Sequence, residues 1–187
     1  STGGTEALKE VFMNFPNQIP PVLVVQHIPK HFSKAFANRL NDMFDFVVKE
    51  AEDGDEVKKN QILIAPGGNQ MKLVKSGSHL RVQINNDPPV NRHSPSVDYF
   101  FYSVAELSLP NIISVILTGM GADGAKGMLS LKLKGAQTIA QNEESCVVFG
   151  MPKEAIRAGA ANEVLPLNEI AGRIIELSSL KHRKSVA

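Results

Sequence analysis

Ile112-Ile-Ser-Val-Ile-Leu-Thr-Gly-Met-Gly-Ala-Asp-Gly124 is a β-branched run that breaks into a glycine-rich turn, and Met128, Leu131 and Leu133 follow it at helical spacing. A strand passing through a tight turn into a helix is the repeating half-unit of a parallel α/β sheet. Working outward, Val22-Leu-Val-Val-Gln26, Ile62-Leu-Ile-Ala65, Leu80-Arg-Val-Gln-Ile84 and Gln137-Thr-Ile-Ala140 read as further short strands. Helical spacing fills the gaps. Ala7, Leu8, Val11 and Phe12 share a face, as do Phe32, Phe36, Leu40 and Met43. Val97, Phe101, Val104 and Ala105 form another face behind a Ser94-Pro95-Ser96 cap, and Ile170 to Leu180 closes the series. This alternation predicts an α/β fold built on a doubly wound, mostly parallel sheet with helices on both faces. The stretch of about 46–86 differs: Asp53-Gly54-Asp55, Pro66-Gly67-Gly68 and Lys75-Ser76-Gly77 are hairpin turn signals. An antiparallel hairpin insertion is expected there.

Length bounds the organisation. A chain of 187 residues supports one substantial core, so 1–187 is expected to be a single domain with a basic, frayed tail over 181–187. Apolar residues make up 43% and charged residues 21%, the balance of a globular domain. A net charge of +1 gives no electrostatic reason to expect nucleic acid as a partner. No apolar run approaches the roughly 20 residues that span a bilayer, so direct membrane insertion is not expected. A single cysteine, Cys146, rules out an internal disulfide framework and suits a reducing cytoplasm. Cys146 reads as a small apolar residue, because no cation beside it in sequence would favour the thiolate. The chain opens on Ser1-Thr-Gly-Gly-Thr5 directly before a helix, a strand-to-helix turn without its strand, which is expected of the C-terminal part of a longer chain.

The functional reading is geometric. In a parallel sheet the strand-to-helix loops gather at the carboxyl edge, where ligands bind. His27 follows Val22–Gln26, Asp123 follows Ile112–Thr118, and Ser1 would follow the absent strand. A hydroxyl, an imidazole and a carboxylate on one edge form a nucleophilic relay: the imidazole takes the serine proton, and the carboxylate fixes its tautomer. Ser1, His27 and Asp123 are therefore the expected catalytic residues of a serine esterase. Gly3 and Gly4 allow a tight turn at a helix start, which makes the Thr2 amide and that of Met120 or Gly121 oxyanion donors. No cofactor or metal is needed.

With those residues in hand, the chain resembles the catalytic domain of the bacterial chemotaxis protein-glutamate methylesterase family. The likeness is carried by Ser1-Thr-Gly-Gly-Thr-Glu-Ala7, Gln26-His-Ile-Pro29, Ala51-Glu-Asp-Gly54 and Ile64-Ala-Pro-Gly67. Pro88-Pro-Val-Asn-Arg-His93, Leu117-Thr-Gly-Met-Gly-Ala-Asp-Gly124 and Ala140-Gln-Asn-Glu-Glu-Ser-Cys-Val-Val-Phe-Gly-Met-Pro152 complete it. The resemblance implies hydrolysis of γ-glutamyl methyl esters on the methylated cytoplasmic helices of chemoreceptors, releasing methanol, and it allows deamidation of receptor glutamines. It places the family's triad on Ser1, His27 and Asp123, and Asn91, Arg92 and Met151 on the substrate side. It also implies a partner, an N-terminal receiver domain whose phosphorylation relieves inhibition. That domain is absent from this sequence.

Other readings compete. Gly119-Met-Gly-Ala-Asp-Gly124 is formally the glycine fingerprint of a dinucleotide fold, with Glu143 and Glu144 about 20 residues on, so an NAD-dependent oxidoreductase is the first alternative. Asp123 opposes it, putting a carboxylate where a pyrophosphate should dock. A non-catalytic anion or phosphopeptide binder would use the first helix start but leaves His27 and Asp123 without roles. Ser1 as an N-terminal nucleophile with its own amine as base is a third. His27 and His31 as a metal pair would straddle Pro29 without a third ligand cluster. His31 reads instead as a solvated first-turn residue, and His79 and His182 as surface residues. His93 lines the site or holds a loop; the sequence leaves both open.

Overall fold

The computed structural model describes the backbone of residues 3–186 and the side chains of residues 3–179. Two compact units account for the chain: a middle unit, Pro16–Leu107, and a flanking unit made of the residues up to Phe15 and those from Ser108 on.

In the middle unit, β1 (Val22–Val24), β2 (Val47–Glu50) and β3 (Gln61–Ile64) form a parallel sheet in the order β1-β3-β2. The central strand explains the order. Ile62, Leu63 and Ile64 show no exposed surface, and an unbroken apolar run suits a strand covered on both faces. Each such side chain contributes about 1.5–3 kcal/mol of burial. α2 (Phe32–Asn41) connects β1 to β2 and buries Phe36, Ala37 and Leu40. β4 (Gln70–Ser76) and β5 (His79–Asn85) form the antiparallel hairpin, with Ser76 opposite His79, and α3 (Val97–Glu106) packs on β4. The Leu73 N–H of β4 donates to the Ser103 hydroxyl of α3 at 3.0 Å. Ser96 caps α3 as expected, accepting from the Tyr99 N–H.

The antiparallel part is narrower than the expected 46–86. β2 and β3 are parallel to each other, and only residues 70–85 form a hairpin. The Asp53-Gly54-Asp55 turn has a different use: it lays the following residues along the outer side of β5. Gly54 N–H donates to Val82 O, Val82 N–H to Asp55 O, and Glu56 bridges Arg81.

In the flanking unit, β6 (Ile113–Ile116), β7 (Gln137–Gln141) and β8 (Glu163–Leu165) form a second parallel sheet in sequence order. α4 (Ala125–Leu133) joins β6 to β7, α5 (Met151–Arg157) joins β7 to β8, and α6 (Leu167–Val186) follows and packs with α1 (Gly4–Met13). Ala7, Leu8, Val11 and Phe12 form the buried face of α1, as the spacing predicts. α6 continues to Val186, so the backbone of the stretch read as a frayed tail is helical up to there.

The α/β class holds: the parallel pairings dominate, helices connect the strands, and one antiparallel pair is present. Four core assignments move, Met43 among them at 43% exposed just beyond the end of α2. Phe32 is 64% and Leu133 79% exposed, and Phe100 rather than Phe101 is buried in α3. Phe32 and Leu133 are terminal residues of α2 and α4, where a residue on the apolar stripe has passed the edge of what covers it. Among the described residues no helix is long and apolar enough to cross a membrane.

One glycine fixes how two loops of the middle unit meet. A Cβ on Gly67, after β3, would stand 2.5 Å from the carbonyl oxygens of both Ile28 and Pro29, in the loop after β1. Backbone lies against backbone there, and neither can retreat as a flexible side chain would. Gly67→Ala is expected to lower stability by about 1–3 kcal/mol, read as a reduced urea midpoint with an unchanged slope. An unchanged midpoint would mean the loop yields freely.

Candidate active site

His27 lies three residues beyond the end of β1 and is half-buried. Its loop is held from two sides. Ile28 and Pro29 press on Gly67, and the Gly67 N–H donates to the Ser33 hydroxyl at 2.9 Å. Ser33 in turn donates to Glu50 Oε2 at 2.5 Å, tying the loop after β3 to the end of β2 through the first turn of α2. His31 opens α2 in the left-handed conformation, φ 76°, and is exposed, in keeping with the solvated role expected of it. His79 is likewise a surface residue, 2.9 Å from Glu56.

The His27 ring is stacked on His93, with centroids 3.6 Å apart and planes within 4°. His93 closes a tight turn. Val90 and His93 exchange both backbone hydrogen bonds, at 3.0 and 2.9 Å, around Asn91 and Arg92 at φ 53° and 68°. Two consecutive left-handed residues characterise a type I′ turn. Asn91 tolerates that conformation, and its amide donates to the buried Asp98 at 2.8 Å. Arg92 is exposed at the turn. The turn is anchored below by Gln70 of β4, which has no exposed surface. Gln70 Nε2 donates to His93 O and Pro88 O, and its Oε1 accepts from the Ser96 N–H.

In the flanking unit the decisive loop follows β6. Asp123 is 2% exposed and immediately precedes Gly124, the left-handed cap of α4. A carboxylate that deep is stable only with hydrogen-bonded oxygens, which suits an orienting group and not a solvated charge. Met120 stands out from the same loop, 65% exposed. Met151 does not: it is buried at the first turn of α5, and its N–H donates to Gly119 O at 2.8 Å, as Gly150 N–H does at 3.1 Å. A Cβ on Gly150 would stand 2.5 Å from that same oxygen. Thr118 locks this loop to the next. Its hydroxyl donates to Val148 O and accepts from Val148 N–H, while its own N–H donates to the fully buried Gln141.

Ser1 and Thr2 lie outside the described residues. Gly3, at φ 78°, caps α1 and sits where a Cβ would meet Val147 at 2.8 Å and the Thr118 methyl at 3.3 Å. The start of α1 is therefore seated on the carboxyl end of β6, the strand that leads to Asp123. A cleft of about 320 Å³ runs along α1 from Gly3 to Met13, against Thr118, Ser145 and Val147.

Cys146 lies in the same region and is half-buried. Burial pushes its thiol above the ordinary cysteine range, with a smaller push from Glu143 and a partly offsetting hydrogen bond from Thr118. A raised thiol holds less thiolate at any given pH, so alkylation by iodoacetamide at pH 7 is expected to be slower than that of free cysteine. Mass spectrometry of the 146 peptide checks this; labelling as fast as free cysteine would contradict it.

The sequence motifs pointed to the loops holding His27 and Asp123. They did not reveal that His93 is stacked on His27, or that Gln70 and Ser33 brace their surroundings. Asn91, a residue type that tolerates the left-handed conformation, was the available signal for the turn between Val90 and His93. The dinucleotide reading loses ground here, because Gly119 O is occupied by two backbone donors and a buried carboxylate stands at the entrance to α4.

A family model described as CheB methylesterase matches residues 1–174. The protein-glutamate methylesterase/protein-glutamine glutaminase of Pectobacterium atrosepticum is 51% identical over 175 residues, covering 94% of this chain and 50% of that protein. The Salmonella typhimurium protein of the same name is 50% identical over the same shares. The chain thus spans about half the length of the curated relatives it matches. The crystal structure of the Thermotoga maritima CheB methylesterase catalytic domain superposes with a TM-score of 0.90 at 42% identity, covering 94% of each chain. A match running through nearly every element described above means that this chain belongs to the CheB methylesterase family.

Proposed function

We propose that this chain is a serine hydrolase that cleaves glutamate methyl esters on bacterial chemoreceptors, releasing methanol, and that it also deamidates receptor glutamines. Ser1, His27 and Asp123 carry the reaction. The observation behind this reading is the seat of Gly3. Two residues after Ser1 in sequence, it rests on Thr118, at the end of the strand that leads to Asp123.

In the proposed reaction the Ser1 hydroxyl oxygen bonds to the ester carbonyl carbon as its proton passes to His27. The oxyanion accepts hydrogen bonds from the Thr2 and Met120 amides. The bond to the methoxy oxygen breaks, and the His27 imidazolium returns its proton to release methanol. Water, deprotonated by His27, then attacks the acyl carbon and frees glutamate and Ser1. Asp123 holds the imidazole in the tautomer that accepts the serine proton. With a glutamine substrate the leaving group is ammonia.

Asn91 and Arg92 project a turn beside His27, and exposed Met120 offers an apolar contact; we place them on the substrate side, whereas the buried Met151 serves to fix the Gly119 carbonyl. The partners proposed are the methylated cytoplasmic helices of chemoreceptors and an N-terminal receiver domain, the latter in keeping with relatives about twice as long. Residues 1–187 act in this reading as one catalytic domain in the cytoplasm. The test is methanol release from a methylated receptor fragment. Release above the uncatalysed rate supports the reading, and its absence with the folded chain overturns it.

A further inference from the structure

We propose that His93 is a positioning residue for His27: its imidazole fixes the plane of the neighbouring ring and stabilises that ring when it carries the proton. The inference rests on the esterase reading for its kinetic consequence, and on the stacking geometry alone for its structural one.

Three observations carry it. The rings are 3.6 Å apart and within 4° of parallel, which leaves no room for a water molecule between them and blocks rotation of either ring through the other. The backbone that carries His93 is fixed: its N–H and carbonyl are both bonded to Val90, and its carbonyl also accepts from the fully buried Gln70. The turn that presents it adopts two successive left-handed residues, Asn91 and Arg92, and is tied down by the Asn91–Asp98 hydrogen bond. A ring carried on so fixed a turn and stacked face to face acts as a template for its neighbour.

The chemistry explains why a ring should be used. A general base in this reaction holds a proton between two transfers, and it must accept and donate along one fixed direction. An aromatic face against an imidazolium is attracted to its positive charge, and it also denies the base the tilted orientations that waste encounters. An aliphatic residue would fill the space without supplying the face.

That difference gives the test, made on the full chain with a methylated receptor fragment. His93→Phe keeps a planar ring, His93→Leu keeps comparable bulk without one, and Ser1→Ala separates enzymatic from background methanol release. We expect His93→Leu to lower kcat by about tenfold with little change in KM, and His93→Phe to restore most of the loss. The His27 ring-proton resonances, read by NMR at fixed pH, should lose their upfield ring-current shift in His93→Leu and keep it in His93→Phe. Equal kcat in the Leu and Phe variants overturns the proposal, as does a change confined to KM, which would make His93 a substrate contact. Wild-type protein with no Ser1-dependent turnover would sink the esterase reading instead, and the resonance shift would still decide whether the two rings are coupled. Urea midpoints of both variants identify any loss that is merely structural.

Discussion

Ser1→Ala is expected to lower kcat for methanol release by about 10⁴–10⁶, with KM changed little. The size of the effect follows from the role. Without the hydroxyl no acyl-enzyme forms, and hydrolysis falls back on water attacking an ester that is still bound and still polarised. What remains is the contribution of the oxyanion donors, about 10²–10³ for each. Binding of the proposed substrate should survive, because the substitution removes a single hydroxyl oxygen. Methanol quantified against time for the two proteins gives the ratio, and a serine-directed fluorophosphonate should label wild type at position 1 alone. Turnover within tenfold of wild type in the alanine variant would exclude Ser1 as nucleophile. It would return attention to the binding-module alternative, in which the start of α1 holds an anion.

Asp123→Asn should be nearly as damaging, with kcat falling by about 10⁴. The two side chains have the same shape, so a residue 2% exposed keeps its packing. The change is one of hydrogen-bond polarity. A carboxylate only accepts, and in the proposed relay its part is to hold an imidazole N–H. An amide can turn its NH₂ toward the imidazole and select the tautomer whose other nitrogen already carries a proton. A base in that tautomer cannot take the Ser1 proton. A stopped assay across pH 6–9, together with a urea midpoint, separates this from unfolding: kcat should collapse while the midpoint moves modestly. A kcat within tenfold of wild type would remove Asp123 from the relay.

The parts of this fold that could be read from sequence are those where local pattern and tertiary context agree. β1, β3, β6 and β7 were legible because buried parallel strands are unbroken β-branched runs, and α1 because all four stripe residues are covered. The failures have specific physical sources. Phe32 and Leu133 fit their helical stripes but sit at helix ends, and period alone says nothing about where cover stops. The Asp53-Gly54-Asp55 turn looks like a hairpin signal, yet the tight turn runs the chain alongside β5 instead of pairing β2 with β3. α5 has seven residues and β8 three, too short to register a period at all. Within the candidate site, loop residues next to strand ends were legible because chain direction assigns them to an edge. The His27–His93 stack was not, because 65 intervening positions separate two residues whose meeting depends on how the hairpin and α3 carry the turn.

Gln70 divides the hairpin into a part that can be edited and a part that cannot. Its one side chain serves two carbonyls and one N–H of the 88–96 segment, so leucine or methionine in its place would leave the buried Ser96 N–H without its acceptor and take a donor from Pro88 O and His93 O. At the far end of the same ribbon, Gly77 has open space around it. Insertions, tags or shortened turns belong between Ser76 and His79. Any graft that transplants the 88–96 segment onto another scaffold has to carry a glutamine at the strand base along with it, as a keystone travels with its arch.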